Sequence, residues 1–157
     1  MKKIFTILFS IVTIVLLQPD ATAQGLLKKT VVATDGSGDF KTIQAAINSL
    51  PDSSIITNTI FIKKGTYREK LFIAKHNIIL EGEDRAATII TQDIARDEWR
   101  CDHPDDWGVA TINVNGNDIT LKNLTVANDY GFNFLQDRIV DCAADTVTHK
   151  KTITKNG

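Results

Sequence analysis

The feature that most limits what this chain can become is a set of short β-branched strands recurring about every 20 residues, divided by Gly and Asn turns. Thr59-Ile60-Phe61-Ile62 is followed about one period of 20 residues later by Asn77-Ile78-Ile79-Leu80, and a longer block runs from Asp118 to Val126. Strands are expected over Thr59 to Ile62 (closed by Lys63-Lys64-Gly65), Lys70 to Ile73, Asn77 to Leu80 and Thr88 to Thr91. Two more are expected over Ala110 to Val114 and Ile119 to Val126, with Asn115-Gly116-Asn117 between them. Ile, Val, Leu and Thr dominate each segment, and such side chains suit a pleated, half-buried surface. The period favours a coil in which every rung lies on the one before. An antiparallel sandwich would use similar strands, and periodicity alone leaves both open.

One helix stands out. Phe40, Ile43, Ile47 and Leu50 fall at helical spacing with Ala45 and Ala46 alongside, and Pro51-Asp52 ends the pattern. It follows a small β-branched run, Thr30 to Ala33, and a dense turn, Asp35-Gly36-Ser37-Gly38-Asp39, whose last residue is the expected N-cap. A coil leaves open strand edges at its ends, so an amphipathic helix ahead of the first rung has a physical purpose in covering one of them.

The first residues read as an export signal. Lys2 and Lys3 precede an apolar run from Ile4 to Leu17, Pro19 breaks it, and Ala21-Thr22-Ala23 fits the small-x-small cleavage rule. Residues 1–23 are therefore expected to be removed, leaving Gln24 at the head of a domain over 24–157 that is secreted or periplasmic. The apolar run is shorter than the roughly 20 residues a spanning helix needs, which argues against an uncleaved anchor. With 18 Lys+Arg against 19 Asp+Glu, the chain has no basic excess to bind nucleic acid. Cys101 and Cys142 could pair in an oxidising compartment, but two thiols define no framework, and the unpaired state stays open.

Val31 to Ile47, with Asp35-Gly36-Ser37-Gly38-Asp39-Phe40 at its centre, resembles the opening of the pectin methylesterase family. Gly65-Thr66-Tyr67-Arg68-Glu69 is similar to that family's Gly-x-Tyr-x-Glu segment, and Leu80-Glu81-Gly82-Glu83 with Thr88 to Thr91 resembles its next rung. Trp107-Gly108-Val109-Ala110-Thr111 stands where the family commonly has Phe-x-Ser-Ala-Thr, and Lys122 to Val126 looks like the rung leading to its active site. The resemblance runs in order from about Thr30 to Asn128. It implies an all-β fold, a right-handed parallel β-helix with an N-terminal capping helix. The implied chemistry is hydrolysis of methyl esters on polygalacturonate (pectin) with no metal or cofactor, through an aspartate nucleophile and a second aspartate as acid and base. The family motifs that carry those groups, of the type Gln-Ala-Val-Ala-Leu, Gln-Asp-Thr-Leu, Asp-Phe-Ile-Phe-Gly and Gly-Arg-Pro-Trp, do not occur in this sequence. Catalytic residues are thus expected beyond Gly157, and the 157 residues alone are expected to be inactive.

Within the sequence, Asp106 and Trp107 are the candidate substrate-binding residues, because the resemblance places their loop beside the substrate groove and an indole face can stack on a pyranose. The plainer reading of Trp107 is a residue that packs its own loop. The carboxylates from Asp93 to Asp106 could hold calcium or act on a sugar, but Arg96 and Arg100 among them favour a solvated, charge-cancelling loop. His103 beside Cys101 lacks the further ligands of a tetrahedral metal set. Gln136-Asp137 continues as Arg138-Ile139 rather than Thr-Leu, so it reads as surface loop. His76 and His149 read as surface residues, Gly36-Ser37-Gly38 as a turn, and Tyr67 and Glu69 as structural. Asn123-Leu124-Thr125 matches a glycosylation sequon, yet its place suits an asparagine bonding the coil's backbone. Tyr130 to Gly157 has little apolar patterning and is expected to be poorly ordered without further rungs. The rival functions are a non-catalytic carbohydrate-binding coil and a calcium-dependent pectinolytic lyase. The partner expected in every case is the polysaccharide, met by a monomer.

Overall fold

The computed structural model describes residues 29–133, 136–144 and 147–155; the expected leader, residues 1–23, lies outside them. No helix among the described residues is long and apolar enough to cross a membrane.

A short strand β1 (Thr30–Val32) and a helix α1 (Ile43–Ser49) precede the coil. The first rung is β2 (Asn58–Ile62), β3 (Gly65–Arg68) and β4 (Leu71–Ile73), and the second is β5 (Ile78–Gly82), β6 (Thr88–Gln92) and β7 (Ile112–Val114). A third holds β8 (Ile119–Lys122) and β9 (Thr125–Asn128). Each strand pairs in parallel with its counterpart one rung away, giving sheets ordered β1-β2-β5-β8, β3-β6-β9 and β4-β7. This is the right-handed parallel β-helix with a capping helix; parallel pairing of non-consecutive strands removes the sandwich.

Inward side chains stack rung on rung. Ile60 lies on Leu80 and Leu80 on Leu121, while Tyr67 lies on Ile90 and Ile90 on Val126. Ile60, Leu80, Tyr67 and Ile90 are buried, each apolar side chain contributing about 1.5–3 kcal/mol. Leu121 and Val126 continue the same stacks yet are 42% and 43% exposed, since no described strand pairs with the free edges of β8 and β9.

Two expected strands are corrected. Gly65, read as a closing turn, instead begins β3. The single strand from Ile119 to Val126 is broken at Asn123, whose φ of 54° turns β8 into β9. Asn tolerates this left-handed region better than most residues. Its Nδ2 donates to the Gly82 carbonyl at 2.7 Å, so the sequon asparagine bonds the coil's backbone.

The expected helix is real but shorter, and its N-cap is Thr42, whose Oγ1 accepts from Ala45 N at 3.3 Å. Asp39 instead folds back to accept from Val31 N at 2.8 Å, because the turn returns it to β1. Three first-rung contacts hold α1. Glu69 accepts from Ile43 N at 2.9 Å and Gln44 N at 3.0 Å. Gln44 accepts from Phe72 N at 2.9 Å and donates to Phe72 O at 3.1 Å, substituting for a strand at the edge of β4. Lys75 donates to the Asn48 and Leu50 carbonyls at the helix end. An acid at the positive end and a base at the negative end also suit the helix dipole.

The described residues after Tyr130 form a hairpin, although their composition shows little apolar pattern. After helix α2 (Arg96–Asp102), in the loop between β6 and β7, and a single turn α3 (Tyr130–Asn133), β10 (Arg138–Ala144) and β11 (Val147–Ile153) form an antiparallel hairpin. Tyr130, Ile153 and Ala95 make a small buried cluster with Val140 against it. Arg138 pairs with Glu98, Lys151 Nζ donates to the Asp97 carbonyl at 3.0 Å, and a disulfide joins Cys101 to Cys142. The apolar positions are few because this cluster is small and the other ties are ionic or covalent. Asp137 accepts from Lys155 N at 3.0 Å and belongs to this hairpin's surface.

Candidate functional site

The regular period breaks between β6 and β7. Ile60 is twenty positions from its stacking partner Leu80, but Leu80 is forty-one from Leu121, because residues 93–111 are inserted at that corner. The insertion carries α2, then a return limb from Asp105 to Thr111, and holds both candidate residues.

Asp106 lies in a fork of arginines. Arg96 Nε reaches its Oδ1 at 3.0 Å and Nη2 its Oδ2 at 2.5 Å, and Arg100 Nη1 adds a contact at 3.4 Å. The Arg96 hydrogen bonds, with a smaller part from Arg100, hold the Asp106 carboxyl below the usual carboxylate range and push the Arg96 guanidinium up. The charge-cancelling reading of this acidic stretch describes this pair well. Trp107 follows at once, with its backbone N–H donating to Asp105 Oδ1 at 2.9 Å and its residue surface 55% exposed. An indole so open does not pack its own loop closely.

Behind the return limb lies a group that the sequence does not announce. Gly108 has φ of 91°, and a Cβ there would sit 2.7 Å from the Trp99 ring and 3.0 Å from that of Phe72. Trp99 also stacks on His103, with ring centroids 3.5 Å apart, and His103 Nδ1–H donates to the Trp99 carbonyl at 2.9 Å. Lys70 places its ammonium 4.4 Å from the Trp99 ring centroid and donates to the carbonyls of Gly108, Val109 and Ala110 at 2.5, 2.9 and 3.1 Å. Burial lowers the pKa of that ammonium. Asn113 Nδ2 donates to the Ala110 carbonyl at 2.9 Å. Phe72 is 39% exposed, so it and Trp107 both reach solvent near Gly108. Trp99 and His103 fall four apart, a helical-neighbour spacing visible in the sequence; the role of Lys70 is not, since it spans 38 residues.

Cys101 is in a disulfide and offers no thiolate to partner His103, and among the described residues no group of three or more His, Cys, Asp or Glu could hold an ion. His76 accepts from Asn117 N through Nδ1 at 3.0 Å and serves the turn between rungs.

Residues 29–155 match the pectinesterase family. The pectinesterase of Petunia integrifolia is 36% identical over 120 residues, covering 71% of this chain and 31% of the relative. Pectinesterase A of Dickeya chrysanthemi is 35% identical over 116 residues, covering 70% and 31%. Among solved structures, a pectin methylesterase in complex with a hexasaccharide superposes with a TM-score of 0.56 at 35% identity, over 66% of this chain and 31% of that one. The pectin methylesterase of Erwinia chrysanthemi gives 0.56 at 33% identity with the same coverage. The chain thus spans about a third of the length of the relatives it matches. By that match across the cap helix, the three rungs and the inserted loop, the chain belongs to the pectinesterase family.

Proposed function

We propose that this chain is part of a carbohydrate esterase that removes methyl esters from polygalacturonate, contributing the cap, the first rungs and an aromatic wall of the substrate groove. The observation that carries this reading is the family match over residues 29–155, taken together with an open indole, Trp107, on the inserted loop. Trp107 stacks on a pyranose face, where an aromatic supplies contact area at low entropic cost. Asp106, fixed by Arg96 and Arg100, offers its remaining lone pairs to sugar hydroxyls at the loop's outer edge. The protein is exported to the secreted or periplasmic space and meets pectin as a monomer.

The test has two arms. The protein encoded by the complete gene is expected to release methanol from highly methylated pectin without added calcium, and the 157 residues alone are expected to bind the polymer without turnover. Calcium-dependent unsaturated products would instead identify a lyase. Binding by the complete protein with no methanol released would leave a carbohydrate-binding coil. Trp107→Ala is expected to weaken pectin binding about tenfold, the scale of one lost stacking contact.

A further inference from the structure

The inserted loop has no strand of its own between Gln92 and Ile112, yet its return limb takes one defined path across the rung edge. That path is not set by apolar packing alone, since Asp105, Asp106, Trp107 and Ala110 are all exposed. A side chain from the rung before it supplies much of the constraint. Lys70, immediately ahead of β4, has three ammonium hydrogens and meets three consecutive carbonyls, those of Gly108, Val109 and Ala110. Its ammonium also stands against the face of Trp99, and Trp99 in turn bounds Gly108.

We propose that Lys70 is a positioning residue for carbohydrate recognition: by gathering the carbonyls of residues 108–110 onto its ammonium, it fixes the limb that aims Trp107 at the glycan. The proposal rests on the reading of Trp107 as a sugar-stacking residue, and extends it from the residue that touches the ligand to the one that holds it in place. Three carbonyl oxygens turned toward one point repel each other unless a cation sits among them. The Arg96–Asp106 fork fixes the limb from the other side, so Trp107 lies between two anchors, one ionic and one made to backbone. Loss of either would leave the indole present but unaimed, and ordering it on binding would then reduce affinity.

The full chain is suited to the test because Trp99 and Trp107 are its only tryptophans. Binding of methyl-esterified hexagalacturonate is measured by titration calorimetry for the parent chain, Lys70→Met and Lys70→Arg. Lys70→Met is expected to lose about tenfold in affinity with an unchanged far-ultraviolet spectrum, the scale of ordering one loop side chain and its limb. Lys70→Arg, which keeps the cation, is expected to recover most of that loss. In a Trp107→Phe background, emission reports Trp99 alone. There Lys70→Met is expected to shift it to the red and raise its quenching by acrylamide, as Gly108 leaves the ring. Affinity within twofold of the parent in Lys70→Met overturns the positioning role, and so does Trp99 quenching that does not change. Absence of binding by the parent chain overturns the reading of Trp107 itself; the quenching experiment still decides whether Lys70 holds the limb.

Discussion

Replacing Glu69 by Ala removes the acceptor for the first two N–H groups of α1. A helix leaves its first four amide donors without intrahelical partners, and here three of them meet side-chain acceptors. Glu69 takes those of Ile43 and Gln44 and Thr42 Oγ1 takes that of Ala45, while the Ala46 N–H makes the first regular helical bond, to the Thr42 carbonyl. Each bond to a charged acceptor stabilises by about 1.5–3 kcal/mol when buried, and partial exposure lets water replace part of it. The two together should contribute about 2 kcal/mol, which corresponds to a fall in melting temperature of roughly 6–10 °C for a domain of this size. Urea denaturation followed by far-ultraviolet circular dichroism measures this directly. Glu69→Gln is the sharper variant. Its amide has one acceptor oxygen, so its NH2 must face the second helix donor, and it should recover less than half of the loss. Stability of Glu69→Ala within about 0.5 kcal/mol of the parent would refute the capping role, and so would full recovery in Glu69→Gln.

Three further outcomes follow from the same contacts. Leu80→Ala, fully buried between Ile60 and Leu121, should cost about 2–5 kcal/mol by denaturant titration, while Leu121→Ala in the same stack at 42% exposure should cost well under half as much. Reduction of Cys101–Cys142, or the paired change to Ser, should speed amide exchange in β10 and β11 while leaving β2 to β6 protected, since the bridge closes a separation of 41 residues onto α2. The Asp106 carboxyl has its pKa lowered in the folded chain by Arg96, so the fork's stabilisation is fully present above the ordinary aspartate value and is lost as pH falls through the lowered one. Trp107 emission should therefore hold steady from neutral pH to about 4 and change only below it, and Asp106→Asn should abolish that acid transition.

The coil is legible in the sequence because repetition writes the same instruction several times. Ile60, Leu80 and Leu121 each stand in an apolar, β-branched setting, and the register that stacks them follows from their strands. The cap helix is readable from its apolar face, but its fastening is not. Asp39 is a good N-cap residue by type and loses the position to Thr42, because a long-range bond to Val31 draws it away. Glu69, Gln44 and Lys75 hold the helix over separations of 25 to 28 residues, beyond the reach of any local pattern. The hairpin from Arg138 to Ile153 escapes for a different reason. Its anchors are a disulfide, ion pairs and a cluster of three buried side chains, and none of these produces an alternating apolar stretch. Asp106 and Trp107 stand out in the sequence through resemblance, and the arginine fork shows there only as mixed charge from Asp93 to Asp106; the Lys70 contacts, which span 38 to 40 residues, have no sequence signature.

Periodic rungs explain why the candidate site lies on the insertion. A rung position is committed twice, to its own sheet and to the neighbours above and below, so its inward side chains have little freedom to diversify. The corner after β6 is free of that constraint, and the chain uses it for a loop that must then be held by other means. Gly108 tests whether that holding is tight. Gly108→Ala adds a methyl within 3 Å of Trp99 and Phe72 at a φ of 91°, where a side chain also costs about 1 kcal/mol or more in backbone strain. Gly108 belongs to no strand, so β-sheet content and the core's denaturation midpoint should move little. The limb, by contrast, cannot accept the methyl without lifting from Trp99, and Trp99 emission and glycan affinity should change together. If both stay at parental values while Ala is accommodated, the return limb is a loose surface loop and its aromatic residues are not a preorganised wall.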